Sequence, residues 1–255
     1  MFTDRHRLDL REQGFCVVED VLDRDRTSDV RRRLVDAAAE SRRRGIPTRY
    51  ARLDPNDANV RVFNLLDLDL VFIELIAHPL ALEIVGHVLT DAFIVSNFTA
   101  NIALPGSGSM QIHSDQSIVI PAPWNEPWSM NIIWCLDDVR GENGATLYLP
   151  GSHRFRDAGE LPADMADRMV PFEAPAGSII AMEGRLWHTS GANVTRDEER
   201  ALLFGYYSRS FIRPQWNFNV GLSTETQAGL SPYLRHLLGL ELTANVRPLE
   251  GLPRG

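Results

Sequence analysis

The stretch Gln111-Ile112-His113-Ser114-Asp115-Gln116 decides how the rest of the chain is read, together with His188, which stands 75 positions after His113. On an extended strand alternate side chains share a face, so His113 and Asp115 can approach one ion while Ser114 turns away. Two neutral imidazoles and one carboxylate occupy one face of an octahedral ion and leave three positions open. This 2-His-1-carboxylate set suits non-haem Fe(II) oxygen chemistry. The third ligand, His188, has to come from another strand. A His-x-Asp tripeptide by itself is a weak signal, because both residue types are common on surfaces.

Arg200 strengthens the reading. It lies 12 residues beyond His188, at a strand expected over Ala201 to Tyr207. A guanidinium there can clamp a carboxylate through two parallel hydrogen bonds. Arg196 and Arg209 are rival clamps.

Working outward, residues 1 to 90 read as mostly helical with one early strand, Gly14 to Val18, and residues 91 to 210 as short strands. Asp25 or Thr27 can cap a helix running to about Arg43, and Asp67 to Ala77 carries apolar residues at helical spacing. Pro79 suits the first turn of another helix through Leu89. Strands are expected at Phe93–Leu104, Met110–Asp115, Ser117–Ile120, Ser129–Leu136, Ala145–Leu149, Met169–Phe172, Ser178–Met182 and Ala201–Tyr207. Short strands at this spacing, separated by Gly, Pro and Asn, predict an α+β, mainly β chain built on a sandwich or jelly roll. One domain over residues 1–255 is the simplest count: a helical buttress (1–90), a jelly-roll core (91–210) and a C-terminal arm (211–255).

These residues carry a family resemblance over nearly the whole chain. It rests on Glu12-Gln13-Gly14-Phe15 with Val17-Val18, on the segment from Gln111 to Gln116, and on Glu142-Asn143-Gly144-Ala145-Thr146 leading to Leu149-Pro150-Gly151-Ser152-His153. Trp187-His188-Thr189-Ser190-Gly191-Ala192-Asn193 completes it. The chain resembles the phytanoyl-CoA dioxygenase family of Fe(II)- and 2-oxoglutarate-dependent oxygenases. The resemblance implies a double-stranded β-helix, a cupin-like jelly roll with N-terminal helices packed on the sheet. It implies Fe(II) held by His113, Asp115 and His188, with 2-oxoglutarate as cosubstrate and O2 as oxidant. Succinate and carbon dioxide would be released as the substrate is hydroxylated.

Arg200 with Ser190 resembles the family pair that seats the far carboxylate of 2-oxoglutarate. The family arginine is expected 11 residues after the histidine, where this chain has Glu199; a one-residue bulge between Thr195 and Glu199 would restore the match. Gln111, Thr146 and Trp134 are further candidates for cosubstrate contact, with ordinary sheet packing as the competing reading, and Asn101 is similar. Asp115 argues for oxygenation, since related iron halogenases replace the carboxylate with a small residue so that chloride can bind.

The loop Ala122-Pro123-Trp124-Asn125-Glu126-Pro127-Trp128 cannot hold a strand ladder, because its prolines remove donors. Trp124 and Trp128 either plug the core or wall the substrate site; Phe211 and Trp216 in the loop from Phe211 to Asn219 pose the same choice, and Gln116 is a further substrate candidate. His153, after Pro-Gly-Ser, reads as structural, and His6, His78, His87 and His236 read as surface or helix-packing residues rather than ligands.

Composition bounds the partners. Lys+Arg 26 against Asp+Glu 34 gives a net charge of −8, which disfavours non-specific nucleic-acid binding. The arginine runs at 31–33 and 42–44 flank the apolar stripe of a helix and read as a solvated face. Cys16 and Cys135 lie in apolar runs and are expected unpaired. No apolar run of 18 residues occurs, so no membrane partner is expected, and a cytoplasmic location and a monomer or homodimer are. The expected substrate is a compact, partly apolar small molecule such as a specialised metabolite or amino-acid derivative. Two other classes remain open: a redox-neutral divalent-metal jelly-roll isomerase or hydrolase, and a metal-free binding module.

Overall fold

A computed structural model of the protein describes residues 1–90 and 92–240. The part of the expected C-terminal arm beyond Leu240 lies outside the described residues. Two antiparallel sheets face one another. The larger runs in the order β1 (Phe15–Val18), β8 (Ile179–Glu183), β5 (Ser129–Cys135), β10 (Arg200–Arg209), β3 (Phe93–Ala103) and β2 (Asn59–Val62). The smaller runs β4 (His113–Ser114), β9 (Trp187–Ser190), β6 (Thr146–Tyr148), β7 (Val170–Pro171). Both are jelly-roll halves, with helices gathered on the outer face of the larger sheet.

Those helices form where local chemistry starts and stops them. α1 (Asp4–Gln13) begins in a capping box between Thr3 and His6 and ends at Gly14, whose φ of 81° suits a residue without Cβ. α2 (Arg24–Arg43) is capped by Asp23, which accepts from the Arg26 N–H at 2.8 Å, and buries Val30, Leu34, Ala37 and Ala38. α3 (Leu70–Ile76) starts on the Asp69 cap, later than the periodicity suggested. A 3₁₀ turn over Leu65–Asp67 takes up the preceding residues. α4 (Pro79–Leu89) has proline in its first turn. Among the described residues no single helix is long and apolar enough to cross a membrane; α3 and α4 pass by length and composition only as a bent pair.

The period of two along the strands sorts the larger sheet into two environments. Met130, Ile132 and Trp134 of β5, with Ala201, Leu203 and Tyr207 of β10, join the core beneath the helices. Ile133 and Cys135 of β5 and Leu202 of β10 line a second apolar cluster between the sheets. Asn131 and Tyr206, on that same inner face, open onto a cavity at one end of the jelly roll.

Other expectations change as well. Ser117–Ile120 is not a strand; Asp115–Ile118 is a 3₁₀ turn, with Ser117 Oγ donating to the Ser114 carbonyl and the Gln116 N–H to the Gly184 carbonyl. Those bonds curl the chain away from a ladder. The connection from His188 to Arg200 holds no bulged strand: β9 ends at Ser190, and residues 193–198 fold onto the Asn193 side chain, which bonds the Ala103 and Glu198 carbonyls. β2 was not expected, because Asn59-Val60-Arg61-Val62 offers only two β-branched residues.

Candidate metal centre and cavity

β4 and β9 pair so that His113 stands directly opposite His188, with ring centroids 4.4 Å apart. Each Nδ1 faces a backbone carbonyl two residues back, Gln111 at 2.9 Å and Leu186 at 3.0 Å. A carbonyl can only accept, so each Nδ1 carries the proton and each Nε2 presents a lone pair, the orientation that metal-bound histidines take. Both Nε2 atoms lie 3.7 Å from Asp115 Oδ1. The three ligand atoms fall within 4.8 Å of one another, so the donor set fits a divalent ion. Burial holds the His188 imidazole below its ordinary range, partly opposed by nearby Asp115. The neutral ring is the ligand form.

The surroundings aim Asp115. Asn131 Nδ2 donates to Asp115 Oδ2 at 3.0 Å and leaves Oδ1 toward the histidines, while the Tyr206 hydroxyl donates to the Asp115 carbonyl at 3.0 Å. Ser152 Oγ accepts from the Trp187 N–H and donates to the Leu149 carbonyl, pinning the residue before His188. Neither Asn131 nor Tyr206 stood out in the sequence. The available signal was an amide inside the otherwise apolar run of β5.

Beside the centre lies a cavity of about 860 Å³. At its inner end Arg200 is 1% exposed; its guanidinium donates to the Gly144 carbonyl and to the carbonyl and Oδ1 of Asn101. Burial lowers its pKa to about 10, so it stays charged at neutral pH. Among the described residues it has no ion-pair partner. Glu199 turns outward to Arg31 of α2 at 2.7 Å. Arg196 is exposed, and Arg209 faces Glu126 at 3.7 Å.

The cavity gathers some of the expected residues and not others. Thr146, Ser190, Asn101, Arg200 and Trp216 line it with the triad. Gln111 is exposed and outside it, because β4 begins only at His113 and the Gln111 side chain shares no strand face with the ligands. Trp134 sits on the opposite face of β5, edge-on to His78, as its parity with Met130 and Ile132 dictates. Gln116 is fully buried and braces the proline loop, its amide bonding the Glu126 carbonyl and the Trp128 N–H. Trp124 packs on Leu149 and Trp187, and Trp128 packs on Phe211, so all three aromatic residues fasten loops outside the cavity.

The comparisons agree with this geometry. The model of the family described as "Phytanoyl-CoA dioxygenase (PhyH)" matches residues 10–201. "Dioxygenase af480" of Aspergillus fumigatus is 49% identical over 231 residues, 91% of this chain and 75% of that protein. HygX from Streptomyces hygroscopicus, solved with nickel and 2-oxoglutarate bound, superimposes with a TM-score of 0.68 at 16% identity, covering 85% of this chain and 91% of HygX. EctD from S. alaskensis with bound Fe gives 0.65 at 20% identity, over 81% of this chain and 76% of EctD. On the family match and the 49% identity, this chain belongs to the phytanoyl-CoA dioxygenase family and is a 2-oxoglutarate-dependent dioxygenase.

Proposed function

We propose that the protein, acting as one domain, is an Fe(II)- and 2-oxoglutarate-dependent dioxygenase that hydroxylates a small, partly apolar molecule such as a specialised metabolite or amino-acid derivative. Arg200 carries the reading: a buried cation with no ion-pair partner among the described residues, in the same cavity as a two-histidine, one-carboxylate cluster. A buried charge without a counter-ion is costly, and an incoming carboxylate would relieve it.

His113 and His188 through Nε2, and Asp115 through Oδ1, would hold the ion. Bound Fe(II) supplies the dioxygen chemistry that couples decarboxylation of 2-oxoglutarate to succinate with oxygen insertion into a substrate C–H bond. Arg200 and Ser190 would take the cosubstrate's far carboxylate, and Thr146, the register partner of Ser190, would close that end. Asn131 would keep Asp115 Oδ2 occupied so that one oxygen faces the ion. Trp216 would contact the substrate.

The same reading has the chain working as a monomer or homodimer in the cytoplasm, without nucleic acid or membrane; the net charge of −8 supports the absence of nucleic acid. Anaerobic titration of the apo-protein with Fe(II) and 2-oxoglutarate tests the chemistry. The visible charge-transfer band of a chelated Fe(II)–oxo-acid is expected in wild type, absent in His188→Ala and weakened in Arg200→Ala. Bound metal without a band would move a redox-neutral metalloenzyme to the front, and no bound metal would favour a binding module.

A further inference from the structure

The outer part of the cavity constrains what enters it. Its walls include Phe63 and Trp216, which stack with centroids 6.5 Å apart and planes 8° from parallel, together with Phe204 and Tyr206. At its mouth Tyr50, Leu53 and Ile118 are 43%, 45% and 47% exposed, an apolar rim of the kind that marks a binding surface.

Among the described residues, the charged wall groups other than the triad and Arg200 are each paired within the chain. Arg61 donates to both oxygens of Asp54, at 3.2 and 2.7 Å, and the Asp54 side chain is fully buried. Arg49, at the rim, pairs with Asp57 at 2.6 Å. The remaining polar groups are neutral: the amides of Asn97 and Gln215, 3.4 Å apart, and of Asn131, whose buried Oδ1 has no partner among the described residues, and hydroxyls such as those of Thr99, Ser117 and Tyr206. Once loaded, the centre is balanced too, because a ferrous ion and Arg200 offset Asp115 and a 2-oxoglutarate dianion. An ionised substrate would therefore leave water without finding a counter-charge, at a cost that neutral apolar molecules avoid.

We infer that the substrate is an uncharged, mainly apolar molecule with at most hydrogen-bonding polar groups, and that carboxylates, ammonium compounds and acyl-CoA thioesters are excluded. This rests on the oxygenase reading and narrows it. Amino-acid derivatives with a free charge fall outside it.

The test uses the full chain with Fe(II) and 2-oxoglutarate under anaerobic conditions, so the charge-transfer band first decides the oxygenase reading on its own. Three probes on one fused tricyclic carbon skeleton, the alcohol, the carboxylate and the amine, are then titrated at pH 7 and followed by perturbation of that band and quenching of tryptophan fluorescence. The alcohol is expected to bind at least ~100-fold more tightly than either ion, a difference of about 2.8 kcal/mol. An ion that binds as well as the alcohol, or failure of all three with the band present, overturns the inference. Asn97→Asp places an uncompensated anion in the wall and should narrow the gap between amine and alcohol by ~10-fold. An unchanged gap in that variant would show that charge balance does not set the preference.

Discussion

At the scale of single residues, the centre depends on groups that hold ligands as much as on the ligands. Asn131 donates to the Asp115 oxygen that points away from the histidines. Removing such a partner typically weakens metal binding by about 10–100-fold. Asn131→Ala is therefore expected to raise the dissociation constant for Fe(II), or for Co(II) as a spectroscopic substitute, by that amount. The melting temperature of the metal-free protein, which also loses the Asn131–Asp115 bond, reports the structural cost separately from the loss of metal affinity. Arg200 tests the other end. Lysine keeps the charge but loses the planar fork, so Arg200→Lys should raise the KM for 2-oxoglutarate by about 10- to 100-fold while Fe(II) affinity holds, measured by succinate release and metal titration. An unchanged KM would remove Arg200 from the cosubstrate site. The ligand triad was legible in the sequence because metal chemistry admits few residue types. Asn131 was not, since its neighbour Trp134 is the more conspicuous residue on the same strand, and only strand parity, visible once the helices are placed, separates the face that Trp134 buries from the face that Asn131 opens to the cavity.

At the scale of elements, the segment from Ile46 to Ala58 carries Ile46, Pro47, Tyr50 and Leu53 to the cavity although no helix or strand supports it. Its anchor is Asp54, which accepts from the Tyr50 N–H at 2.7 Å and from the Arg61 guanidinium, while the Arg61 N–H donates to the Thr48 carbonyl. Breaking a buried pair by removing one partner costs roughly 3–5 kcal/mol, because the other charge is left uncompensated. Asp54→Asn is expected to lower the melting temperature and to open residues 46–58 to limited proteolysis first. A variant cleaved elsewhere before this segment would show that the pair does not hold the strap. Nothing in the sequence announced this element. Its apolar residues follow neither a helical nor a strand period, and the pair that fixes it joins a loop to β2, whose Asn59-Val60-Arg61-Val62 offers only two β-branched residues as a strand signal. The proline loop after Gln116 went the other way, since its prolines marked it as irregular and its tryptophans suggested a substrate wall, whereas their packing on Leu149, Trp187 and Phe211 makes them fasteners.

At the scale of the whole molecule, the helical buttress and the jelly roll meet at a histidine that does no chemistry. His153 is 3% exposed, and a Cβ built on Gly14 would lie 2.6 Å from its ring, so only glycine lets the end of α1 settle there. Arg154 adds a bond to the Glu12 carbonyl across the same junction. Burial pushes the His153 imidazole down to about 4, with a backbone contact at Arg11 partly opposing and the Arg154 and Arg185 charges reinforcing the shift. Because the charged form is disfavoured in the folded state, the unfolded chain binds the extra proton between its ordinary value near 6.5 and about 4, and stability must fall as pH falls through that window. The loss from this residue alone is bounded at about 3 kcal/mol. Denaturant titrations of metal-free wild type from pH 7 to pH 4 should follow that decline, and His153→Asn should flatten it even though the variant begins less stable at pH 7. His188 is also buried and neutral, so a residual slope belongs to the variant as well. Parallel pH curves for the two proteins would mean that His153 takes no part in acid unfolding and that the junction is held by packing alone.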